Sequence, residues 1–384
     1  MAERVILHVG PPKAGSTFLQ TLLWNNKSRL AKSGVLIPGR RQFDLNLVAK
    51  AVREGPLDIE AAGPAHRVMH RIVNQIRDWP GTAVLSNEWF SLTPRSSAER
   101  FLEALAPAQV HVVATARAFV EQVPAAWQET LKLGQATSLP AFVAGLDRDG
   151  ERWSWGNLDP SALLARWHGL VPAEQVHVVT VPARGSDPRL LWRRFGALGG
   201  VDPDAYDASK ARPNASLPVE GARLLQLLGA QLRAALDEGS DDGAPVHRWI
   251  RDFIGNELLA ESGRSRIALG REELALVRRR TETAAEKLVE GGFDIVGDMA
   301  EFTHTRLPEN ARAPDQVSAE ELLAVAAPLV SALLERVRLE YDRAESAEAK
   351  LAQSTNGRTF ARSTPQAPTG SRTSWWRPGA NWVR

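Results

Sequence analysis

Four short runs of apolar and β-branched residues, at 5–9, 83–85, 110–114 and 176–181, alternate with longer segments of helical period at 17–30, 65–79 and 118–133. None of the short runs alternates strictly between apolar and polar residues. A compact apolar run is what a strand covered on both faces requires. Parallel neighbours need a crossover segment, and the helical stretches supply it. The order therefore predicts an α/β domain with a mainly parallel central sheet flanked by helices, whose ligands would bind beyond the carboxyl ends of the strands. From about residue 217 the pattern turns helical, with apolar residues at i, i+3 and i+4 in segments 217–236, 246–261 and 271–289. A helical C-terminal half is expected, with residues 1–306 as one domain and the Pro-marked stretch 307–317 as a linker. Ser318 and Glu321 have the spacing of a capping box, which would open a helix over 318–350.

Composition narrows the chemistry. The 384 residues include no cysteine, which excludes a disulfide scaffold, a thiol nucleophile and any Cys-ligated metal. Of the 8 histidines only His66 and His70 have HxxxH spacing and no HExxH is present, so no metal is expected. Residues 351–384 carry Arg358, Arg362, Arg372, Arg377 and Arg384 and no acid, and they read as a disordered basic tail of charge +5. The rest of the chain then holds 42 basic and 45 acidic residues, a formal −3, so the basic character belongs to the tail and nucleic acid is not an expected partner. Trp375, Trp376 and Trp382 among those arginines suit a surface contact with a partner or an anionic membrane. Self-association through the C-terminal helix is the other expected contact. The longest apolar stretch, 322–334, is too short to cross a bilayer and contains Pro328, so no integral membrane segment is expected. The N-terminus reads as a strand and not as an export signal, and a cytoplasmic location follows as an expectation.

The segment 8–18, HVGPPKAGSTF, follows the first strand run and opens a helical pattern. Gly10 and Gly15 allow a tight turn and close approach to a ligand. The backbone N–H groups at Gly15, Ser16 and Thr17, the helix dipole and the charge of Lys13 together form a cradle for an oxyanion. The two glycines have Walker A spacing, but Ser16 stands where the Walker lysine belongs and Lys13 lies before Gly15. A plain strand-to-helix turn with Ser16 as N-cap is the alternative.

The run Pro12-Lys13-Ala14-Gly15-Ser16-Thr17 with Phe18 after it resembles the 5′-phosphosulfate loop of the sulfotransferases that use 3′-phosphoadenosine 5′-phosphosulfate (PAPS). The second motif agrees in order: strand run 110–114 leads to Arg117, and a helical segment ending in PAAWQETLKLG follows, similar to a bacterial, actinobacterial-like branch. The resemblance implies a P-loop NTPase-like sulfotransferase fold. It implies PAPS as co-substrate, released as 3′-phosphoadenosine 5′-phosphate (PAP), and a hydroxyl acceptor on a small molecule, glycan or lipid. Residues 12–18 would hold the 5′-phosphosulfate, Phe18 would stack on adenine, and Arg117 would hold the 3′-phosphate; core packing is the alternative for Phe18 and a solvated strand end for Arg117. Where the family has Ser eight residues after this Arg, the chain has Ala125. Arg212, Asn214 and Ser216 are the residues that would compensate, Ser216 as a simple N-cap being the alternative. Trp127 is expected to pack in the core, and His8 to be a packed strand residue.

In the resemblance the acceptor's proton goes to a base just past a strand that precedes the Arg motif. Here that place holds Glu88, before the aromatics Trp89 and Phe90. Lys13 would polarise the leaving oxygen. A solvated Glu at a helix start is the alternative for Glu88. At the level of the whole chain, the alternatives are a P-loop small-molecule kinase and a non-catalytic nucleotide-binding relative.

Overall fold

The computed structural model describes residues 2–54, 63–148, 150–207, 216–236 and 244–358. Two compact units divide at Leu329 and Val330.

The first unit is built on strands β1 (Arg4–Gly10), β2 (Val35–Leu36), β3 (Thr82–Ser86), β4 (Gln109–Ala116), β5 (Val176–Thr180), β6 (Arg266–Ile267), β7 (Asp294–Val296) and β8 (Ala311–Arg312). Six of them form one sheet in the order β2-β3-β1-β4-β5-β7. Every pairing in it is parallel. β6 and β8 pair with each other, also parallel. Flanking helices include α1 (Ser16–Asn25), α2 (Lys27–Lys32), α3 (Asp44–Glu54), α4 (Pro64–Arg77), α5 (Arg95–Leu105) and α6 (Phe119–Leu131). The expected α/β architecture with a parallel sheet is therefore present.

The apolar runs explain the sheet's position. Val5, Ile6, Leu7 and Val9 of β1 are fully buried, as are Val112 and Val113 of β4 and Val178 and Val179 of β5. Removing each such side chain from water is worth about 1.5–3 kcal/mol. Leu19 and Leu22 of α1 and Trp192 and Phe195 of the helix Leu190–Leu198 close one face over Ile6 and Val179. The parallel register sets β1 Leu7 beside Leu85 and Val112, and His8 beside Ser86 and Val113. The β1–β4 register then slips between His8 and Gly10. Bulges of this kind re-aim a chain as pairing ends, and here the chain enters the loop before α1. All strands of a parallel sheet point one way, so the loops after Gly10, Ser86, Ala116 and Thr180 emerge along one edge.

Several details differ from the sequence reading. The helix expected over 17–30 is broken at Asn26, whose buried side chain donates to Leu22 O and Asp207 O at 3.0 and 3.1 Å; an Asn so engaged competes with helical backbone bonding. Three short strands interrupt the helical second half, and β7 joins the main sheet. The segment 246–258 is a π-helix, Val246–Leu258. Residues 307–317 contain β8 and the turn Pro314–Gln316. Ser318 and Glu321 do form a reciprocal capping box, with Ser318 N donating to Glu321 Oε2 at 2.8 Å and Glu321 N donating to Ser318 Oγ at 3.2 Å. The helix it opens is Ala319–Arg358, eight residues longer than the expected end at 350. The lack of acidic residues after 350 says nothing against a helix, and Leu351, Ala352 and Gln353 are strong helix formers. The remainder of the basic tail, with its three tryptophans, lies outside the described residues. In the described part of the second unit, Leu334, Val337 and Tyr341 of this helix are exposed. No helix among the described residues is long and apolar enough to cross a membrane.

Candidate functional site

The loop between β1 and α1 is held in an unusual backbone shape. Gly10 and Gly15 have φ of 106° and 90°, and Lys13, with a full side chain, has φ of 63°. A non-glycine residue in this region is strained and persists only where its surroundings impose it. Here three carbonyls are tied to the β4–α6 segment. Thr115 Oγ1 donates to Gly10 O at 3.3 Å, Gln122 Nε2 to Pro12 O at 2.9 Å, and Arg117 Nη1 to Lys13 O at 2.9 Å. Gly15 is the N-cap of α1 and no side chain caps the helix, so Ser16 is its first residue and not its cap. Ser16 and Thr17 of this first turn line the cavity described below.

Each basic group at the loop is met by a carboxylate. Lys13 Nζ lies 2.9 Å from Glu129 Oε1, and Arg251 Nε lies 3.3 Å from Glu129 Oε2. Lys132 is 3.8 Å from the same carboxylate and donates to Asn256 Oδ1 at 2.8 Å. Burial alone would raise the Glu129 carboxyl, but Lys13, Lys132 and Arg251 outweigh it and hold it at about 2. Burial lowers the Lys132 ammonium to about 8, with Glu129 opposing and Lys13 and Arg251 reinforcing the fall. Arg117 donates to Glu121 Oε2 at 3.2 Å from Nε and 2.8 Å from Nη2. Arg184 Nε approaches the other oxygen of Glu121 at 3.2 Å. Arg117 is thus a part-buried guanidinium positioned by Lys13 O and Glu121, and not a solvated strand end.

Glu88 opens the 3-10 turn Glu88–Leu92 just past β3, with Asn87 as the N-cap that accepts from Trp89 N. Its Oε2 accepts from Gln20 Nε2 of α1 at 2.7 Å. A Cβ on Gly10 would stand 2.9 Å from Glu88 O, so the loop packs directly against the backbone of Glu88. Arg152 lies over Trp89 and Trp153, 4.6 and 5.9 Å from the ring centroids.

A cavity of about 630 Å³ gathers these groups. Of the residues expected from the sequence, Pro12, Lys13, Gly15, Ser16, Thr17, Phe18, Glu88, Arg117 and Ser216 line it, together with Ala125. Ala14 is fully buried and does not line it. Arg212 and Asn214 lie outside the described residues. Ser216 is not an N-cap: the helix Val219–Ala234 is capped by Pro218, and Ser216 Oγ instead accepts from Gln128 Nε2 at 3.2 Å. Trp127 is buried in the core and donates to Thr137 O at 2.8 Å. His8 is buried, with Nδ1 2.7 Å from Ser86 Oγ. The sequence reading missed Gln128, Glu129, Arg152, Arg184, His247 and Arg251 as lining residues. Arg251 and His247 come from the π-helix, a rare geometry that recurs at functional sites.

The cavity can receive a polyanion. Lys13, Arg117, Lys132, Arg152, Arg184 and Arg251 line it against only two carboxylates, Glu88 and Glu129, among the described residues. No protein-family model, no curated protein and no solved structure matches the chain.

Proposed function

We propose that the protein is a PAPS-dependent sulfotransferase acting on a hydroxyl acceptor. One observation carries this reading: a single cavity has a cationic loop end, formed by Lys13, Ser16, Thr17 and Arg117, and a carboxylate, Glu88, in the same wall. A PAPS molecule brings a phosphosulfate and a separate 3′-phosphate, and it needs two anion-binding groups of this kind. The cationic excess lies within a body whose formal charge is −3, so the field is local to the cavity.

In this scheme the α1 N-terminus and Lys13 bind the 5′-phosphosulfate, and Arg117 binds the 3′-phosphate. The acceptor oxygen attacks sulfur in line while its proton passes to the Glu88 carboxylate. The bond from sulfur to the bridging phosphate oxygen breaks, and the electron pair leaves with PAP. Lys13 stabilises charge on that oxygen. Glu88 is a base within the meaning of proton transfer at hydrogen-bond reach. Ser216, bonded to Gln128 in the cavity wall, supplies in this scheme the hydroxyl that Ala125 lacks. Donor and acceptor would be brought together without a metal.

Binding and transfer test the reading separately. PAP at 100 times its dissociation constant should stabilise the fold by about 2.7 kcal/mol. Sulfur-35 from labelled PAPS should appear on an acceptor in a cell extract, and Lys13→Ala should abolish it. A protein that ignores PAP at millimolar concentration but binds ATP with Mg²⁺ is a kinase and not a sulfotransferase. Binding of PAP without transfer marks a non-catalytic relative.

A further inference from the structure

A second cavity, of about 300 Å³, adjoins the first, and its chemistry is different. Phe43 and Asn46 line both. Its walls are Leu23 and Trp24 of α1, Ile37 after β2, Phe43, Leu45 of α3 and Val84 of β3. Among the described residues no charged side chain lines it. Gln20 also lines it, and it is Gln20 that donates to Glu88.

Apart from the exposed Gln42, the polar side chains of this wall already bond to protein groups. Ser86 Oγ is 2.7 Å from His8 Nδ1. Asn87 donates to Asn46 Oδ1 and accepts from Trp89 N at 3.0 Å. Gln20 Nε2 is committed to Glu88 at 2.7 Å. A ligand rich in hydroxyls would have to break these bonds or leave its own groups unmatched in an apolar pocket, and either is unfavourable. A ligand with one hydroxyl and an apolar body meets neither penalty. Its body replaces water against Leu23, Ile37 and Val84, and its hydroxyl stands at the Phe43 and Asn46 edge shared with the larger cavity, whose wall includes Glu88. A volume of about 300 Å³ is at the small end of ligand pockets.

We infer that the acceptor is a compact apolar alcohol or phenol, and not a sugar, and that this cavity is its seat. The inference rests on the sulfotransferase reading for the word acceptor, and on the cavity alone for the class of ligand. Arg152 between Trp89 and Trp153 opens instead onto the larger cavity, where an anionic group would be met.

The probe is 2-naphthol, with glucose and maltose as controls. Equilibrium dialysis without nucleotide should show saturable binding of 2-naphthol and none of the sugars. Ile37→Phe fills the cavity and should weaken that binding at least tenfold, while the melting-temperature shift given by PAP stays as in the unaltered protein. Trp24→Ala enlarges it and should move the preference from 2-naphthol toward 4-phenylphenol. This second variant keeps the test decisive if Ile37→Phe does not fold. With labelled PAPS, 2-naphthol should accept sulfur-35. Sulfation of maltose without sulfation of 2-naphthol overturns the inference, as does unchanged 2-naphthol binding in a folded Ile37→Phe. If PAP does not bind but 2-naphthol does, the sulfotransferase reading fails while the cavity keeps its ligand class.

Discussion

Lys13 Nζ is 2.9 Å from Glu129 Oε1, across 116 residues of sequence. The lysine that the proposed chemistry needs is thus held by a carboxylate that Lys132 and Arg251 also contact. One anionic side chain gathers three cations, so the cluster keeps a net positive charge.

Removing that carboxylate should destabilise the empty protein. Glu129→Gln leaves Lys13 and Lys132 charged in a partly dry cleft, and loss of one partner of a buried ion pair typically costs about 3 kcal/mol or more. An added anion should offset much of this by taking the carboxylate's place. Thermal melts with and without PAP or sulfate check it: the shift should be larger in Glu129→Gln than in the unaltered protein, and equal shifts would count against the cluster.

Acid should unfold the protein in two stages. Burial lowers His8 from 6.5 to about 4. Burial, with His177 and Arg4, does the same for His111. Each has a lower pKa folded than unfolded, so the unfolded chain takes up more protons between 6.5 and 4 and stability falls as pH drops through that window. Glu129 is likewise depressed, from 4.5 to about 2, so its contribution is present above 4.5 and is lost as pH falls toward 2. For His8 and Glu129, which are well buried, a shift of this size corresponds to about 3 kcal/mol each, and the more exposed His111 contributes less. Urea midpoints measured from pH 7.5 downward should show both stages. His8→Gln should flatten the upper one and Glu129→Gln the lower.

Gly10→Ala should damage both fold and site. At φ of 106° an alanine is strained, and its Cβ would lie 2.9 Å from Glu88 O. A loss of about 2 kcal/mol is expected in urea unfolding. Transfer activity and PAP affinity should both fall, because Gly10 packs against Glu88 and opens the loop that carries Lys13.

Arg117→Lys should keep the charge but lose the fork. A lysine cannot donate to Lys13 O and grip Glu121 at once, as the guanidinium does. PAP affinity measured by calorimetry should drop about tenfold or more, by about 1.5–3 kcal/mol for a lost bond to a charged group. An unchanged affinity would remove Arg117 from the donor site.

The sequence was informative wherever structure is local. The interior strands β1, β3, β4 and β5 need continuous apolar runs, and those runs are visible. β2, with two residues, and β7, Asp294–Val296, are too short to leave such a run. The π-helix was read as ordinary because its buried Val246, Ile250 and Ile254 recur every four residues, a spacing that suits either winding. The loop around Lys13 was legible because glycine spacing and the lysine sit within eleven residues. Glu129, Arg152 and Arg251 meet only after folding, from three segments with no motif of their own. Capping was the alternative reading of Ser16 and Ser216 because Ser is a common N-cap, yet Gly15 and Pro218 hold those positions.

The carbonyls of Gly10, Pro12 and Lys13 are fixed by Thr115, Gln122 and Arg117 before any ligand arrives. The loop therefore surrenders its conformational freedom when the chain folds, and association has little left to surrender. Its backbone should be as ordered in the empty protein as in the occupied one, readable as unchanged NMR order parameters, and a ligand should dock at a rate set by diffusion and charge instead of by rearrangement.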